Sequence, residues 1–375
     1  MQMSYKTIIG ALVVLGAMFT GACIMQEHKA NASDKMTNDN DTEVSTLALK
    51  EYPKMLWKFF FERGEKFPEG VLPQKQLNFS EMFQEEGSKG VLKAAWLGHS
   101  TMLINIDGFS VLTDPVFEEK VSLVGPSRFN GELPLDPDYI PAVDVVLISH
   151  NHYDHLNKYS VRKVADKAGM FVVPLGVGKK LIQWGVPAEK VFELNWWQEV
   201  QTFQGLEIIA TPSQHFSGRG LFDRNKTLWS SFVIRTENHS VFFSGDSGYF
   251  EGFKQIGEKY GPFDVTFLEC GAYDERWKNV HMMPEETVQA FFDLGGKVLQ
   301  PVHWATFNLS LHPWYEPIER VTSEAWKKSV HVSAPIIGGI VDYQQPIVTK
   351  FWWHQAMEES RLKNSEPQLA AEFEN

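Results

Sequence analysis

From Ala94 onward, short apolar runs alternate with stretches in which apolar residues recur at intervals of three and four. Short runs are typical of β-strands, and the periodic stretches are typical of amphipathic helices. The predicted strands are Ala95–Ile104, Ser110–Leu112, Val143–Ser149, Phe171–Pro174, Leu206–Thr211, Ser231–Arg235, Ser240–Phe243, Val265–Leu268 and Lys297–Pro301. The predicted helices are Lys158–Lys167, Gly178–Gly185, Gly252–Lys259 and Pro284–Leu294. This alternation indicates an α/β fold. Since no long Pro/Gly linker interrupts residues 94–353, we expect one large domain there.

The first 22 residues have the pattern of a bacterial signal peptide. Lys6 precedes an apolar run, Ile8–Phe19, which is too short to span a bilayer comfortably. The run ends in Thr20-Gly21-Ala22-Cys23, which resembles a lipoprotein cleavage site except that Thr20 stands where leucine is preferred. We therefore expect lipidation of Cys23 and a membrane-anchored lipoprotein of the cell envelope. Two alternatives stay open: cleavage after Ala32 would give a secreted or periplasmic protein, and an uncleaved run would itself be the anchor.

Three further segments flank the predicted domain. Residues 23–48 are polar and rich in Asn and Asp, so we expect a flexible tether. Residues 49–93 form an N-terminal extension whose aromatic, helix-like stretch includes Trp57 and Phe60. One interpretation is a helix that packs on the domain, and the other is that both aromatic side chains contact membrane or substrate. Residues 354–375 are expected to form a polar C-terminal tail.

The composition excludes several classes of function. The hydrophobic fraction of 43% and the charged fraction of 22% are those of a globular chain. Because 47 acidic residues outnumber 35 basic ones, for a net charge of −12, we expect no broad basic face for nucleic acid. Two cysteines cannot form a disulfide framework or a four-cysteine zinc site, and Cys270 is most simply a buried thiol.

The twelve histidines are unevenly distributed, and the densest cluster directly follows the predicted strand Val143–Ser149. It contains His150, His152, Asp154 and His155 within six residues. Burying these side chains without partners would be costly, whereas imidazole nitrogen and carboxylate oxygen are zinc ligands. The cluster therefore predicts a metal site, and the alternative is a solvated histidine-rich turn.

Three later residues complete the pattern. His215, Asp246 and His303 each follow an apolar run of strand character. Alone, either histidine would more often be an ordinary hydrogen-bonded residue. In α/β folds the ends of strands carry the chemistry, so we expect all three side chains to join the cluster.

The order of these motifs resembles the metallo-β-lactamase superfamily of αβ/βα sandwich hydrolases. Within that superfamily, the chain is similar to the N-acyl-phosphatidylethanolamine-hydrolysing phospholipase D group. The motifs that carry the resemblance are Trp96–Ser100, Leu112–Pro115, Ile148–Leu156, Thr211–His215, Gly261–Asp264, Gly271–Tyr273, Met283–Glu286 and His303–Phe307. The resemblance implies a four-layer αβ/βα sandwich.

The resemblance also implies a centre of two Zn²⁺ ions per chain. Three residues would hold one ion: His150, His152 and His215. Three residues would hold the other ion: Asp154, His155 and His303. Asp154 also counts among the expected catalytic residues. Asp246 would bridge the ions, and a hydroxide held between them would be the nucleophile.

The same resemblance assigns roles to residues around the metals. Asp114 matches a position where a carboxylate holds a ligand histidine by its other ring nitrogen, and the alternative is a turn aspartate before Pro115. His281 matches a histidine near the phosphate that could donate a hydrogen bond or a proton to substrate. Its alternative is a structural histidine before the helix start at Pro284. His99 is expected to have a supporting or structural role rather than to be a ligand.

These expectations combine into one leading function and two alternatives. The leading function is hydrolysis of N-acyl phosphatidylethanolamine, or a related glycerophospholipid, to N-acylethanolamine and phosphatidic acid. Its expected partners are a phospholipid substrate and a membrane surface, reached through the lipid anchor and residues 55–61. One alternative is a zinc hydrolase of lactones or of soluble cyclic or sugar phosphodiesters. The other is an envelope metal-binding lipoprotein without turnover.

Overall fold

The computed structural model describes residues 35–38, 57–58, 64–83, 90–123, 125–202, 205–220 and 222–373, with side chains as far as residue 363. The strands are β1 (Leu92–Trp96), β2 (Met102–Ile106), β3 (Phe109–Thr113), β4 (Val143–Leu147), β5 (Ala168–Pro174), β6 (Val191–Leu194), β7 (Glu199–Gln201), β8 (Glu207–Thr211), β9 (Ser231–Arg235), β10 (Ser240–Phe243), β11 (Val265–Glu269), β12 (Leu299–Val302) and β13 (Ile340–Asp342). The helices are α1 (Phe79–Phe83), α2 (Lys158–Val164), α3 (Gly178–Gln183), α4 (Gly252–Tyr260), α5 (Pro284–Asp293), α6 (Glu316–Lys327) and α7 (Trp353–Phe373). Short 3₁₀ turns occupy Gly64–Lys66, Pro137–Tyr139 and Ala188–Lys190.

The strands form two mixed sheets. The first has the order β13-β1-β2-β3-β4-β5-β6 and the second has the order β12-β11-β10-β9-β8-β7. Strands β3 to β6 are parallel to one another, as are β10 to β12, and the remaining neighbours are antiparallel. Apart from the edge strand β6, the parallel strands are largely buried on both faces, as expected where helices cover one side and a second sheet covers the other.

Alternating side chains of β1 show how the layers are arranged. Trp96 packs in the core between the two sheets, whereas Ala95 faces the opposite side, where helices α2 and α3 cover the first sheet. The second sheet is covered in the same way by α4, α5 and α6, whose buried residues belong to the same core as the sheet. The order is therefore helix, sheet, sheet, helix, which confirms the α/β four-layer sandwich expected from the sequence.

The structure divides the single predicted strand Ala95–Ile104 into β1, a turn and β2. Gly98 and His99 have φ angles of +95° and +54°, and this left-handed backbone reverses the chain. Both strands are almost entirely buried, so the apolar pattern continues across the turn and conceals it. The sequence also gave no indication of β6, β7 or β13, which are short and largely exposed or half-buried.

Helices α1, α6 and α7 were not predicted either. Helix α6 buries Ile318, Val321 and Ala325 among many charged residues, so its apolar face is a narrow stripe. Helix α7 occupies most of the segment predicted to be a polar tail. Its first turns bury Trp353 and Met357, a spacing of four that places both side chains on one face.

Several N-terminal predictions lie outside the described residues. These include the signal peptide 1–22, Cys23 and Phe60. Of the predicted tether 23–48, the structure describes Lys35–Asn38, where Asn38 is buried. Trp57 is 63% exposed. Within the described parts of the chain, no helix combines the length and the apolar character needed to cross a bilayer.

Candidate metal centre

The predicted histidine cluster forms a tight loop at the end of β4. The amide N–H groups of His155 and Leu156 both donate to the carbonyl oxygen of His152, so the chain folds back after three residues. The guanidinium of Arg219 closes the loop from outside by donating to the carbonyl oxygens of Asn151 (2.8 Å), His152 (3.2 Å) and Leu156 (2.7 Å). Sequence reasoning did not identify Arg219, which lies 63 to 68 residues away along the chain.

Four residues form what we call the first group: His150, His152, His215 and Asp246. Each offers one ligand atom, and these atoms all lie within 4.8 Å of one another. His152 Nδ1 is 2.8 Å from His150 Nε2 and 3.2 Å from His215 Nε2. The loop after β4 therefore meets residues that follow β8 and β10, as the sequence predicted.

Four residues form what we call the second group: His99, Asp154, His155 and His303. Their ligand atoms also lie within 4.8 Å of one another. Asp154 Oδ2 is at the centre, 3.0 Å from His99 Nε2, 3.4 Å from His155 Nε2 and 3.6 Å from His303 Nε2. His303 follows β12, so the second group joins residues from both sheets.

Asp246 lies between the two groups. Its Oδ2 is 3.2 Å from His155 Nε2, and its Oδ1 is 3.3 Å from His303 Nε2, both in the second group. The same Oδ2 is 3.7 to 3.8 Å from His215 and His150 in the first group. Asp246 follows Gly245, where φ is +55° and a Cβ atom would lie 2.5 Å from the Cβ of Ser149. Glycine thus allows the aspartate to approach the histidine loop.

The unpaired atoms of this cluster test whether a metal would fit. His155 Nε2, His303 Nε2 and Asp246 Oδ1 are buried and have no hydrogen-bond partner among the described residues. His303 Nε2 is 3.3 Å from Asp246 Oδ1, and His155 Nε2 is 3.2 Å from Oδ2 of the same carboxylate, but neither contact has hydrogen-bond geometry. Each unsatisfied buried group costs about 1–3 kcal/mol, and a cation would satisfy several at once. Converging imidazole nitrogen and carboxylate oxygen are ligands of divalent transition metals, so the residues fit metal binding in both groups.

The ligand histidines are held by their other ring nitrogens. Asp114 Oδ2 is 2.7 Å from His155 Nδ1, and the same carboxylate accepts the N–H and the hydroxyl of Ser149 at 2.7 and 2.6 Å. His215 Nδ1 is 2.9 Å from the carbonyl oxygen of Val280. Asp114 thus contacts the ring nitrogen of His155 that faces away from the centre, and it also binds Ser149 at the start of the histidine loop.

Burial and charge give His155 and His303 of the second group a protonation state opposite to that of the three histidines of the first group. Burial lowers the pKa of His150 and His215 well below the ordinary value, and lowers that of His152 to about 4. The three histidines of the first group are therefore neutral and ready to accept a cation. Burial also opposes protonation of His155 and His303. Nevertheless, nearby carboxylates, Asp246 foremost, raise the pKa of His155 well above its ordinary value and that of His303 to about 10.

His99 lies closer to the centre than the sequence suggested. Its ring centroid is 3.9 Å from that of His303, and its Nε2 makes a hydrogen bond of 3.0 Å with Asp154. Burial and the neighbouring His303 lower the pKa of His99 to about 3, so the ring is neutral. In the sequence, only the neighbouring Gly98 indicated a turn at this position. In the structure, His99 has a φ angle of +54°. The hydrogen bond agrees with a supporting role, and the geometry also places His99 among the possible ligands.

His281 lies beside both groups. Its ring centroid is 5.1 Å from that of His215 and 5.5 Å from that of His303. Another unpredicted neighbour is Asn38, whose side-chain oxygen accepts the backbone N–H of His215 and the indole N–H of Trp229, both at 3.1 Å. The structure thus brings every predicted metal ligand, Asp114 and His281 to one place. Trp57 belongs to neither ligand group.

Comparisons with known proteins agree with this geometry. The model of the beta-lactamase superfamily domain matches residues 110–304. An uncharacterized Mycobacterium tuberculosis protein is 39% identical over 356 residues, which cover 93% of this chain and 94% of that protein. The N-acyl-phosphatidylethanolamine-hydrolyzing phospholipase D 1 of Caenorhabditis elegans is 33% identical over 272 residues, 68% of this chain and 75% of that protein.

Among solved structures, a metallo hydrolase from the archaeon Ignicoccus hospitalis superposes with a TM-score of 0.51 at 22% identity. The match covers 68% of this chain and 100% of that one, and it supports the fold alone. The family match covers β3 to β12, which includes every residue of the two groups except His99. The chain therefore belongs to the metallo-β-lactamase superfamily of metal-dependent hydrolases, in which its relatives include N-acyl-phosphatidylethanolamine-hydrolysing phospholipase D.

Proposed function

We propose that this chain is a zinc-dependent phosphodiesterase of phospholipase D type. Its substrate is N-acyl phosphatidylethanolamine or a related glycerophospholipid, and its products are N-acylethanolamine and phosphatidic acid. The observation that carries the proposal is the pair of ligand groups joined by Asp246. The similarity to the phospholipase D of C. elegans supports a phospholipid as the substrate.

The donor set favours zinc as the metal of both groups. Two neighbouring zinc ions would activate a water molecule near neutral pH and stabilise charge that develops on a phosphoryl oxygen. The loop 150–155 carries ligands for both ions. It is held in place by the buried strand that precedes it and by the hydrogen bonds of Arg219. No nucleophilic serine or cysteine is then required, and Cys270 is a buried thiol whose pKa is raised by burial.

The residues of the chain perform three tasks in this reaction. Asp114 orients His155 by accepting from Nδ1, which leaves Nε2 facing Asp246. The carbonyl oxygen of Val280 orients His215 in the same way. His281, which is adjacent to both groups, is placed to donate a proton to the oxygen of the departing alcohol.

A lipidated Cys23 would bring this centre to its substrate. Lys35–Asn38 packs next to the first group, with the Met36 N–H donating to the carbonyl oxygen of Asn225 at 2.8 Å. The twelve residues from Cys23 to Lys35 can span at most about 40 Å when fully extended. A lipid anchor at Cys23 would therefore keep the metal centre near the surface of the envelope membrane.

Two exposed apolar side chains lie in segments that contact Tyr153 of the ligand loop, and they support contact with lipid. Leu123 is 94% exposed and Phe222 is 70% exposed. Leu123 follows Val121, which belongs to a small apolar cluster against which Tyr153 packs. Phe222 follows Arg219, whose carbonyl oxygen accepts the hydroxyl of Tyr153. Since Tyr153 lies in the ligand loop, both exposed side chains extend from segments next to the metals, and Trp57 is a further candidate contact.

The proposal is tested with vesicles that contain N-acyl phosphatidylethanolamine. Metal-loaded protein should release N-acylethanolamine and phosphatidic acid, identified by mass spectrometry. Chelation with EDTA and the variant His152→Ala should abolish release, because both remove the first metal site. The matched control is His354→Ala, since His354 pairs with Glu319 on the surface and is far from the ligand set.

Other products would distinguish the alternatives. Release of free fatty acid without N-acylethanolamine contradicts the proposal, and turnover of soluble lactones but not vesicles supports the first alternative. Two bound metal ions without any turnover would support a metal-binding lipoprotein. Mass spectrometry of the same preparation should find lipid on an N-terminal Cys23, whereas an unlipidated N-terminal Ser33 contradicts the anchor.

A further inference from the structure

A buried carboxylate lies directly behind His281 and outside both ligand groups. Glu269 is the last residue of β11, and its side chain is 0% exposed. Its Oε1 accepts the N–H of Met282 at 2.8 Å and lies 3.3 Å from His281 Nδ1. The ring N–H is not aligned with this oxygen. Among the described residues, Oε2 of Glu269 and Nδ1 of His281 have no hydrogen-bond partner.

This arrangement leaves one carboxylate oxygen of Glu269 and one ring nitrogen of His281 without a partner among the described residues, while the other oxygen, Oε1, is 3.3 Å from that nitrogen. A buried carboxylate with a single donor is under-satisfied, and a buried ring nitrogen without a partner is costly. Within the described chain, no lysine or arginine forms an ion pair with Glu269, and His281 is the partner at ion-pair distance. A small rotation of the imidazole about its ring axis would align Nδ1–H with the carboxylate and satisfy both groups.

The centre already contains one carboxylate–histidine pair of this kind. Asp114 accepts from His155 Nδ1 at 2.7 Å and so directs Nε2 of a metal ligand. Glu269 stands in the same relation to His281, but His281 belongs to neither ligand group. Its ring contacts a member of each, since the centroids of His215 and His303 are 5.1 and 5.5 Å away. With Nδ1 facing Glu269, Nε2 is the nitrogen left for a substrate.

We propose that Glu269 is a positioning residue, which accepts Nδ1–H of His281 and thereby holds Nε2–H ready to protonate the leaving oxygen. This inference rests on the proposed phosphodiesterase function. In the reaction, the oxygen of water forms the new bond to phosphorus. The bond from phosphorus to the oxygen of the N-acylethanolamine breaks, and its electron pair stays on that oxygen. That oxygen takes the proton from Nε2, and His281 regains a proton from the one that the attacking water releases.

The dependence of the rate on the leaving group tests the inference. The probes are methyl phenyl phosphate and methyl p-nitrophenyl phosphate, which differ in how strongly the departing oxygen needs a proton. Glu269→Gln keeps the size of the side chain and an oxygen for Met282 N–H, but removes the negative charge. We expect kcat for the phenyl ester to fall at least about tenfold and kcat for the p-nitrophenyl ester to fall less than about threefold, with KM unchanged.

Two further variants separate positioning from folding. If Glu269 acts through His281, the double variant Glu269→Gln/His281→Gln should lose no more activity than His281→Gln alone. The matched control is Glu286→Gln, which removes another carboxylate bound to the same loop, at the N–H of Met283. It should change both esters equally and by less than about threefold.

Ring ¹⁵N NMR gives a readout that does not depend on turnover. The Nδ1 signal of His281, assigned with His281→Gln, should be that of a protonated nitrogen in the wild type and should move in Glu269→Gln. Equal losses for both esters, additive losses in the double variant, or an unchanged Nδ1 signal would overturn the inference while wild-type turnover stands. If the wild type hydrolyses neither ester nor the phospholipid, the proposed function itself is overturned, and the inference falls with it.

Discussion

The two ligand groups differ in what holds their histidines. In the first group, the ring nitrogens that face away from the centre contact neutral atoms. His150 Nδ1 is 2.9 Å from the hydroxyl of Ser149, and His215 Nδ1 is 2.9 Å from the carbonyl of Val280. In the second group, His155 Nδ1 instead contacts the carboxylate of Asp114 at 2.7 Å. One side of the centre is therefore supported by neutral dipoles and the other by charge.

The pKa directions follow this difference. Burial dominates in the first group and lowers the pKa of its histidines, so their neutral rings can bind a cation without losing a proton. In the second group, Asp246, Asp154 and Asp114 overcome burial and raise the pKa of His155. The comparison indicates that the first group is already arranged for a metal. In the second group, His155 and His303 must first release a proton to bind a cation.

Asp246→Asn should weaken metal binding in both groups, because Asp246 approaches histidines of both at 3.2 to 3.8 Å. We expect fewer than about one metal ion per chain by elemental analysis. Turnover should fall more than about 100-fold, beyond the loss typical when a partner of a ligand is changed. His215→Ala is the comparison variant, because it should empty the first group and leave about one ion in the second. Two ions retained in Asp246→Asn would contradict the bridging role.

Asp114→Asn should weaken the second group more than the first, because Asp114 contacts His155 directly and reaches His150 only through the hydroxyl of Ser149. The amide cannot accept from both His155 and Ser149 with the charge that the carboxylate provides, so we expect about a 10–100-fold loss of affinity at one of two metal sites. Competition with a fluorescent chelator measures the two affinities separately. Asp144→Asn is the control, because that carboxylate accepts two hydrogen bonds from Ser110 and has no contact with the centre. Equal weakening of both sites by Asp114→Asn would show that the two groups are not separately supported.

The sequence allowed most of the candidate metal ligands of both groups to be predicted, because they follow strands that are buried. His150, His215 and Asp246 stand after β4, β8 and β10, whose apolar patterns are plain in the sequence. His99 was harder to recognise because its turn is hidden inside the continuous apolar pattern of β1 and β2. Periodicity identifies which positions are buried, but it does not show which strand ends the sheet order brings together.

The supporting contacts could not be predicted because their partners are distant in sequence. Arg219 reaches carbonyl oxygens of the ligand loop, and carbonyl groups give no sequence signal. Glu269 ends a strand in which every residue is buried, and only the loop that returns His281 to it gives the carboxylate a partner. Helix α6 shows the same limit, since a narrow apolar stripe among charges becomes recognisable only once α5 lies against it.

Asn38 offers the mildest test of how the first group is held. It is separated from His215 by 177 residues and lies in a segment whose polar composition predicts a tether. In Asn38→Ala the N–H of His215 loses its acceptor, while the indole N–H of Trp229 keeps the carbonyl oxygen of Ser213 at 2.9 Å. We therefore expect the free energy of unfolding to fall by about 1–2 kcal/mol in denaturant titrations. The second metal site should be unchanged.

Asn238→Ala, at an exposed turn, is the control and should change the free energy of unfolding by less than about 0.5 kcal/mol. If Asn38→Ala behaves like that control, the neutral support of the first group comes from Ser149 and Val280 alone.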